Sequence, residues 1–166
     1  MILPDLLAPG LRAVFCGTAA GAASARKGHY YAGPGNRFWP LLAECGLTPR
    51  LLRPEEDHLL PGFGLGLTDL AKTASGADAD IPAAAWDAPG LFPRIAACRP
   101  AHLAFTSLTA ARLALQRPDL GAGPLPEDAR LPGVRLWALP SPSGRARGHF
   151  DAAPWQALAQ ALSDRT

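Results

Sequence analysis

Four short segments of the sequence combine small or glycine residues with polar, aromatic or charged side chains. The first reads Gly17-Thr18-Ala19-Ala20-Gly21, and its small residues let the backbone approach a ligand closely. It is not a Walker loop, because no Gly-Lys-Ser/Thr follows it, and it lacks the Gly-x-Gly-x-x-Gly spacing of a dinucleotide site. A tight turn between a strand and a loop is the alternative interpretation.

The second segment, residues 28–39, places two adjacent tyrosines in a glycine-rich stretch. An exposed aromatic ring there can stack on a planar heterocycle, which contributes about 1–3 kcal/mol per nucleobase. We expect one of Tyr30 and Tyr31 to pack in the core and the other to face a ligand. Phe38 and Trp39 are expected in the core.

The third segment ends in an acidic side chain. Phe63, Leu65 and Leu67 alternate with small or polar residues, as in a strand, and Asp69 continues on their face. A carboxylate beside an apolar interior must be paired, hydrogen-bonded or functional. A helix-capping aspartate is the alternative.

The fourth segment, residues 141–149, begins Ser-Pro-Ser-Gly and contains Arg145 and Arg147. Pro142 and Gly144 favour a stiff, protruding turn beside these two charges. Such a wedge can push a base out of its stack while the arginines hold the phosphate backbone. An ordinary turn with solvated arginines is the alternative.

Strands that alternate with helices must position these segments. Buried strands are predicted at 11–16, 63–68, 101–106 and 134–139, and helices at 36–46, 91–98, 107–117 and from Pro154 onwards. The pattern predicts a three-layer α/β/α fold, with a central, mostly parallel four-stranded sheet, in a single domain over residues 1–166. Gly121–Arg130 is predicted to be a surface loop. Ligands of such folds collect at the carboxyl ends of the strands, where the four segments lie.

Composition excludes several classes of protein. The chain has 166 residues, a net charge of +2, 48% hydrophobic and 18% charged residues, which argues against intrinsic disorder. It contains no apolar run of membrane-spanning length, and Pro4, Asp5 and Pro9 interrupt any signal-type core. Three widely spaced cysteines indicate reduced thiols in a cytoplasmic protein, with no metal and no iron–sulfur cluster.

The order of the segments resembles the uracil-DNA glycosylase superfamily, and is most similar to its mismatch-specific thymine/uracil branch, with features of the hypoxanthine-type branch. The resemblance covers most of the chain. It rests on residues 3–11 and 14–17 at the entry to the first strand, 17–21 as the first motif, 31–39 as the segment with the base-stacking aromatic, and 141–144 as the second motif.

Two positions depart from the pattern of the family. Thr18 stands where the mismatch branch has asparagine, and Ser141 stands where the family has histidine or asparagine. The usual water-positioning residue and one donor to the base oxygen are therefore altered. Asp69 becomes the preferred candidate for activating water and stabilising the sugar cation.

The resemblance implies a monofunctional DNA glycosylase of base excision repair that hydrolyses the N-glycosidic bond of a flipped uracil. Its expected partner is single-stranded or mismatched DNA containing uracil or another deaminated base. The protein is expected to act as a monomer, without a cofactor, among the nucleoid DNA of a bacterial-type cytoplasm. Roles follow for the matching residues: Thr18 orients water, Gly17 and the amides of Ala19 and Ala20 face the base, and Tyr31 stacks on it. Asn36 pairs with the edge of the base or holds the loop, and Ser107 or Thr106 reads that edge. Phosphate contacts fall to Ser141, Ser143, Arg145 and Arg147, and Gly144 and Arg145 lie near the tip of the wedge.

Two other functions compete with this hypothesis. The altered motifs are compatible with a damaged-base-binding protein of the same fold that turns over weakly or not at all. An unrelated doubly wound enzyme would act on a free nucleotide or a phosphorylated small molecule. Within the glycosylase hypothesis hypoxanthine and xanthine remain open, and exclusion of the thymine methyl group depends on Ala20, Ser24 and Tyr31.

Overall fold

A five-stranded sheet forms the centre of the protein. The computed structural model describes residues 1–144 and 150–164. In the spatial order β2-β1-β3-β5-β4, the first four strands run parallel and the last is antiparallel to β5. The strands are β1 (Ala13–Ala20), β2 (Leu65–Ser75), β3 (His102–Phe105), β4 (Gly123–Leu125) and β5 (Arg135–Ala138).

In the part of the chain that the structure describes, five α-helices connect the strands or follow them. They are α1 (Ala22–Lys27), α2 (Phe38–Glu44), α3 (Ala88–Cys98), α4 (Leu108–Leu115) and α5 (Ala153–Ser163), and short 3-10 segments lie at Pro54–Phe63, Asp78–Asp80 and Ala83–Ala85. The predicted cap of α4 is confirmed, since the Ser107 hydroxyl accepts a hydrogen bond from the Ala110 amide at 3.0 Å. None of the described helices is long and apolar enough to cross a bilayer.

Two apolar layers, one on each face of the sheet, confirm the three-layer α/β/α fold. Phe15 of β1 packs on one face in a cluster with residues of α2 and α5, including Phe38 and Trp155. Val14 points to the other face, where α3 and α4 contribute Leu91 and Ala110. Alternation along the strand thus supplies both layers.

The predicted number of strands was too low by one. Residues 121–130, predicted to be a loop, contain the short edge strand β4, which pairs with β5. Its three residues, Gly-Pro-Leu, show no useful alternation, and proline is tolerated because the strand lies at the edge of the sheet.

The first two strands are also longer than predicted. Strand β1 continues through Ala20, so the first motif is mostly strand rather than a turn. Asp69 lies inside β2 rather than at its end, directly opposite Gly17. The extension follows from pairing, since β1 and β2 remain in register to Ala19 and Ala71, beyond the end of β3.

The amino-terminal segment covers the outer edge of β2. Leu6 and Leu67 exchange two backbone hydrogen bonds, of 2.9 and 3.0 Å, in an antiparallel bridge. The Ile2 amide also donates to the carbonyl of Lys72 at 2.7 Å. This pairing satisfies part of an otherwise open sheet edge and brings Asp5 to the back of β2.

Candidate active site

Three polar groups from different segments converge on Gly17. A Cβ atom at this position would lie 2.7 Å from Asp69 Oδ1, 3.2 Å from the Tyr31 hydroxyl and 3.4 Å from Thr106 Oγ1. The first of these distances is shorter than a non-bonded contact allows, so the arrangement requires glycine. The space that a side chain would occupy is therefore bounded by a carboxyl group and two hydroxyl groups.

Asp69 is the acidic member of this site. It is only 4% exposed and lies on the same face of β2 as Leu65 and Leu67, which pack in the apolar core. Burial raises its pKa to about 7, from an ordinary value of 3.8; the charges of Lys72 and Arg94 lower the pKa and that of Asp5 raises it. A carboxyl group of this pKa accepts protons effectively near neutral pH.

The ring of Tyr31 packs on a neighbouring aromatic side chain, and its hydroxyl lies at the site. Its ring stacks on Phe38 with a centroid distance of 3.9 Å and an interplanar angle of 18°, and its hydroxyl bonds Thr106 Oγ1 at 2.9 Å. The backbone φ of 52° holds it in the left-handed region, which a tyrosine seldom adopts. Tyr30 is buried, as expected for one of the two tyrosines, and Tyr31 is partly exposed. That Tyr31 faces a ligand remains a prediction.

The first motif continues from Gly17 along the β1–β2 pair. The Thr18 hydroxyl donates to Asp78 Oδ1 at 2.6 Å, so its proton is already engaged. Ala19 lies opposite Ala71, and the carbonyl of Ala20 accepts a hydrogen bond from the Gly76 amide at 2.8 Å. The proposed contacts of Thr18, Ala19 and Ala20 with water and base remain predictions.

The second motif packs against the loop that precedes α2. The amide of Arg37 donates to the carbonyl of Pro142 at 2.8 Å, and a Cβ at Gly144 would lie 3.1 Å from the carbonyl oxygen of Pro34. Within the motif, the Ser143 amide donates to Ser141 Oγ at 3.2 Å. The two loops therefore form one surface. Arg145 and Arg147, predicted to contact phosphates, lie outside the described residues.

Asn36 and Ser107 both support the local backbone. Asn36 Oδ1 accepts from the Phe38 amide at 2.9 Å, which fits the loop-holding role considered for it, while Arg37 rather than Asn36 is the N-cap of α2. Ser107 caps α4, and its neighbour Thr106 is the residue that contacts Tyr31. Of the two edge-reading candidates at the end of β3, Thr106 therefore lies nearer Gly17.

Several charged side chains around the site were not predicted from the sequence. Asp78 holds Thr18, and Asp5, Lys72 and Arg94 form an ion cluster beside Asp69. No local pattern marks them, because their proximity depends on how the amino-terminal segment, β2 and α3 meet. Across residues 1–144 and 150–164, no group of three or more His, Cys, Asp or Glu side chains is placed to hold a metal ion, and the three cysteines are free thiols.

Comparison with known proteins identifies the family of the chain and relatives of its fold. The sequence model of the family described as the uracil DNA glycosylase superfamily matches residues 4–163. Among solved structures, the fold is similar to the solution NMR structure of a candidate uracil DNA glycosylase from Methanosarcina acetivorans, with a TM-score of 0.67 and 21% identity over 96% of each chain. At that identity the likeness establishes a common fold.

Proposed function

The chain belongs to the uracil DNA glycosylase superfamily, and on that premise we propose that it is a monofunctional DNA glycosylase that excises flipped uracil. The observation that carries the proposal is the convergence of Asp69, Tyr31 and Thr106 on Gly17. Enzymes that act on a base in DNA extrude it into a pocket that recognises its edge and its ring face. The site joins an aromatic ring, two hydroxyls and a buried carboxyl group.

The proposed reaction is hydrolysis of the bond between the base and C1′ of the deoxyribose. Asp69 accepts a proton from a water molecule as the oxygen of that water bonds to C1′. The glycosidic bond breaks and its electron pair leaves with the base, which departs as an anion and takes up a proton from solvent. Asp69 returns its proton to solvent, so the products are an abasic site with a hydroxyl at C1′ and the free base. The Asp69 carboxylate also offsets positive charge that develops on the sugar before the water adds.

Recognition of the base is assigned to Tyr31 and Thr106. One face of the Tyr31 ring is covered by Phe38, so we place the base against the remaining face. The two hydroxyls, 2.9 Å apart, can exchange their mutual hydrogen bond for bonds to the base edge. Gly17 lets the backbone of β1 lie close to these groups, because a side chain at this position would collide with Asp69.

Contacts to the DNA backbone are assigned to the second motif and the residues after it. The loop of Ser141, Ser143 and Gly144 would enter the duplex or displace the base, and Arg145 and Arg147 would hold phosphates. We place the protein closest to the mismatch-specific branch and propose that it works as a monomer on nucleoid DNA in the cytoplasm.

A damaged-base-binding protein without efficient turnover is the second candidate. The engagement of the Thr18 hydroxyl by Asp78 favours it, because the first motif then offers little help in orienting water. This protein would share the base pocket and the DNA-binding loops, and would differ in leaving the glycosidic bond intact.

A panel of oligonucleotides separates the two candidates. Strands carrying uracil or hypoxanthine in single-stranded, matched and mismatched contexts are incubated with the protein, and abasic sites are revealed by alkali. The proposal predicts strand breaks with uracil, at a rate that rises with pH through about 7 as Asp69 ionises. Binding to these strands without breaks at any pH would favour the second candidate.

A further inference from the structure

A largely buried ion cluster lies beside Asp69, at the edge of β2 that the amino-terminal segment covers. Asp5 Oδ1 is 2.8 Å from Lys72 Nζ, and Asp5 Oδ2 is 3.2 Å from Arg94 Nε. The Thr68 hydroxyl donates to Asp5 Oδ1 at 2.7 Å. The side chains of Asp5, Lys72 and Arg94 are 19%, 12% and 24% exposed, so bulk water screens their charges only weakly.

The cluster is connected directly to the strand that carries Asp69. Arg94 Nη2 donates to the backbone carbonyl of Asp69 at 2.9 Å and to Thr68 Oγ1 at 3.4 Å. Lys72 follows Asp69 by three residues on β2 and donates to the Tyr30 hydroxyl at 3.2 Å. Two cations thus stand close to the proposed proton acceptor, with Asp5 as their counter-ion.

The other titratable groups that interact with Asp69 are neutral near pH 7. Burial raises the pKa of the Cys16 thiol on β1, and it likewise raises the pKa of the Tyr30 and Tyr31 hydroxyls in the loop after α1. Among the described residues, the charges acting on Asp69 are therefore those of Lys72, Arg94 and Asp5.

We propose that Asp5 is a positioning residue for the reaction: by pairing with Lys72 and Arg94 it keeps Asp69 available to accept a proton rather than serving as their counter-ion. The inference rests on the proposed function, in which Asp69 takes the proton of the attacking water. Without Asp5, Asp69 is the remaining carboxylate of this group whose charge interacts with Lys72 and Arg94. An ion-paired Asp69 would remain ionised at lower pH and would be a weaker base.

Two substitutions are expected to shift the protonation midpoint of Asp69 in opposite directions. Asp5→Asn removes the counter-ion but keeps an oxygen for the Thr68 hydroxyl, so the protonation midpoint of Asp69 is expected to fall by about one pH unit. Lys72→Gln removes one cation and is expected to raise the midpoint. Asp119→Asn is the matched control, because Asp119 is exposed and lies beyond the end of α4.

The experiment measures the midpoint in two ways. Titration of the Asp69 side-chain carboxyl by ¹³C NMR, with the signal assigned by its loss in Asp69→Asn, reports protonation in the absence of DNA. The pH profile of single-turnover uracil excision reports the same event during the reaction. Opposite shifts of both midpoints in Asp5→Asn and Lys72→Gln, with none in Asp119→Asn, support the inference.

Other outcomes overturn either this inference or the proposed function. Unmoved titration midpoints in both variants overturn the inference, and so does a rate lowered at every pH with an unmoved midpoint, which is the result of a purely structural role. If the NMR midpoints shift as expected but the wild-type protein excises nothing, the charge arrangement is supported and the proposed function fails. Lys72→Gln keeps the inference falsifiable if Asp5→Asn does not fold.

Discussion

Substituting Asp69 with asparagine should make the protein more stable at alkaline pH while removing its proposed activity. The carboxyl group is almost fully buried, and burial raises its pKa to about 7 from 3.8. Asparagine has nearly the same shape and carries no charge at any pH. The variant therefore isolates the cost of ionising Asp69 inside the folded protein.

The size of the effect follows from proton linkage. Between pH 3.8 and about 7 the folded protein keeps the Asp69 proton and the unfolded chain does not. The wild-type free energy of unfolding therefore falls as pH rises through this window, by about 1.4 kcal/mol per pH unit, and is flat above it. Relative to wild type, Asp69→Asn should gain roughly 3 kcal/mol between pH 5 and pH 8, or about 6–12 °C in Tm for a chain of this length.

Thermal or urea unfolding of both proteins at pH 5 and pH 8 measures this difference. Only the change in the gap between variant and wild type is interpreted, so other titrating groups cancel. Asp119→Asn, at an exposed carboxyl group, should show the same gap at both pH values. An equal gap at pH 5 and pH 8 for Asp69→Asn would refute the assignment of a buried carboxyl with a raised pKa.

Further substitutions at four residues test the surroundings of Asp69 and the DNA contacts. Gly17→Ala places a methyl group 2.7 Å from Asp69 Oδ1 and should lower the excision rate by about 10²-fold, because the carboxyl group is displaced. Circular dichroism checks that the fold is retained. An unchanged rate would show that Asp69 is not confined at this point. Tyr31→Phe loses one hydroxyl and should lower the affinity for uracil-containing DNA about fivefold. Tyr31→Leu also loses the stacking ring and should lower that affinity by about a further 5- to 150-fold. Equal losses of affinity in the two variants would argue against stacking. Arg145→Ala and Arg147→Ala should each reduce the slope of log affinity against log salt by about one, with Arg117→Ala as the control, and unchanged slopes would remove them from the phosphate contacts.

Much of the fold could be predicted because its signals are local. Buried apolar runs indicated the four parallel strands, and Ser107 marked the start of α4 through its capping hydroxyl. Strand β4 was missed because three residues carry no period, and its pairing with β5 is a tertiary event. Helix α1 was missed for a related reason, since it buries only Ser24 and so shows no apolar stripe.

Some features of the candidate site also have a local sequence signal, and others do not. The adjacency of Asp69 to the first motif could be predicted because period 2 fixed its face and parallel strands share an edge. The choice of Thr106 over Ser107 depends on which side chain is used as a helix cap, and this is visible only once the helix is placed. The ion cluster of Asp5, Lys72 and Arg94 could not be predicted, because it joins residues almost 90 positions apart through an irregular antiparallel bridge.

Single-turnover excision by Asp69→Asn is the decisive test of the proposed role of Asp69 as the proton acceptor. Wild-type protein, Asp69→Asn and the control Asp119→Asn are each mixed in excess with a single-stranded oligonucleotide containing one uracil at pH 8, and abasic sites are quantified over time. We expect a rate at least about 10²-fold lower for Asp69→Asn, the scale of a lost general base, and a wild-type rate for the control. Excision by a folded Asp69→Asn variant at close to the wild-type rate would contradict it.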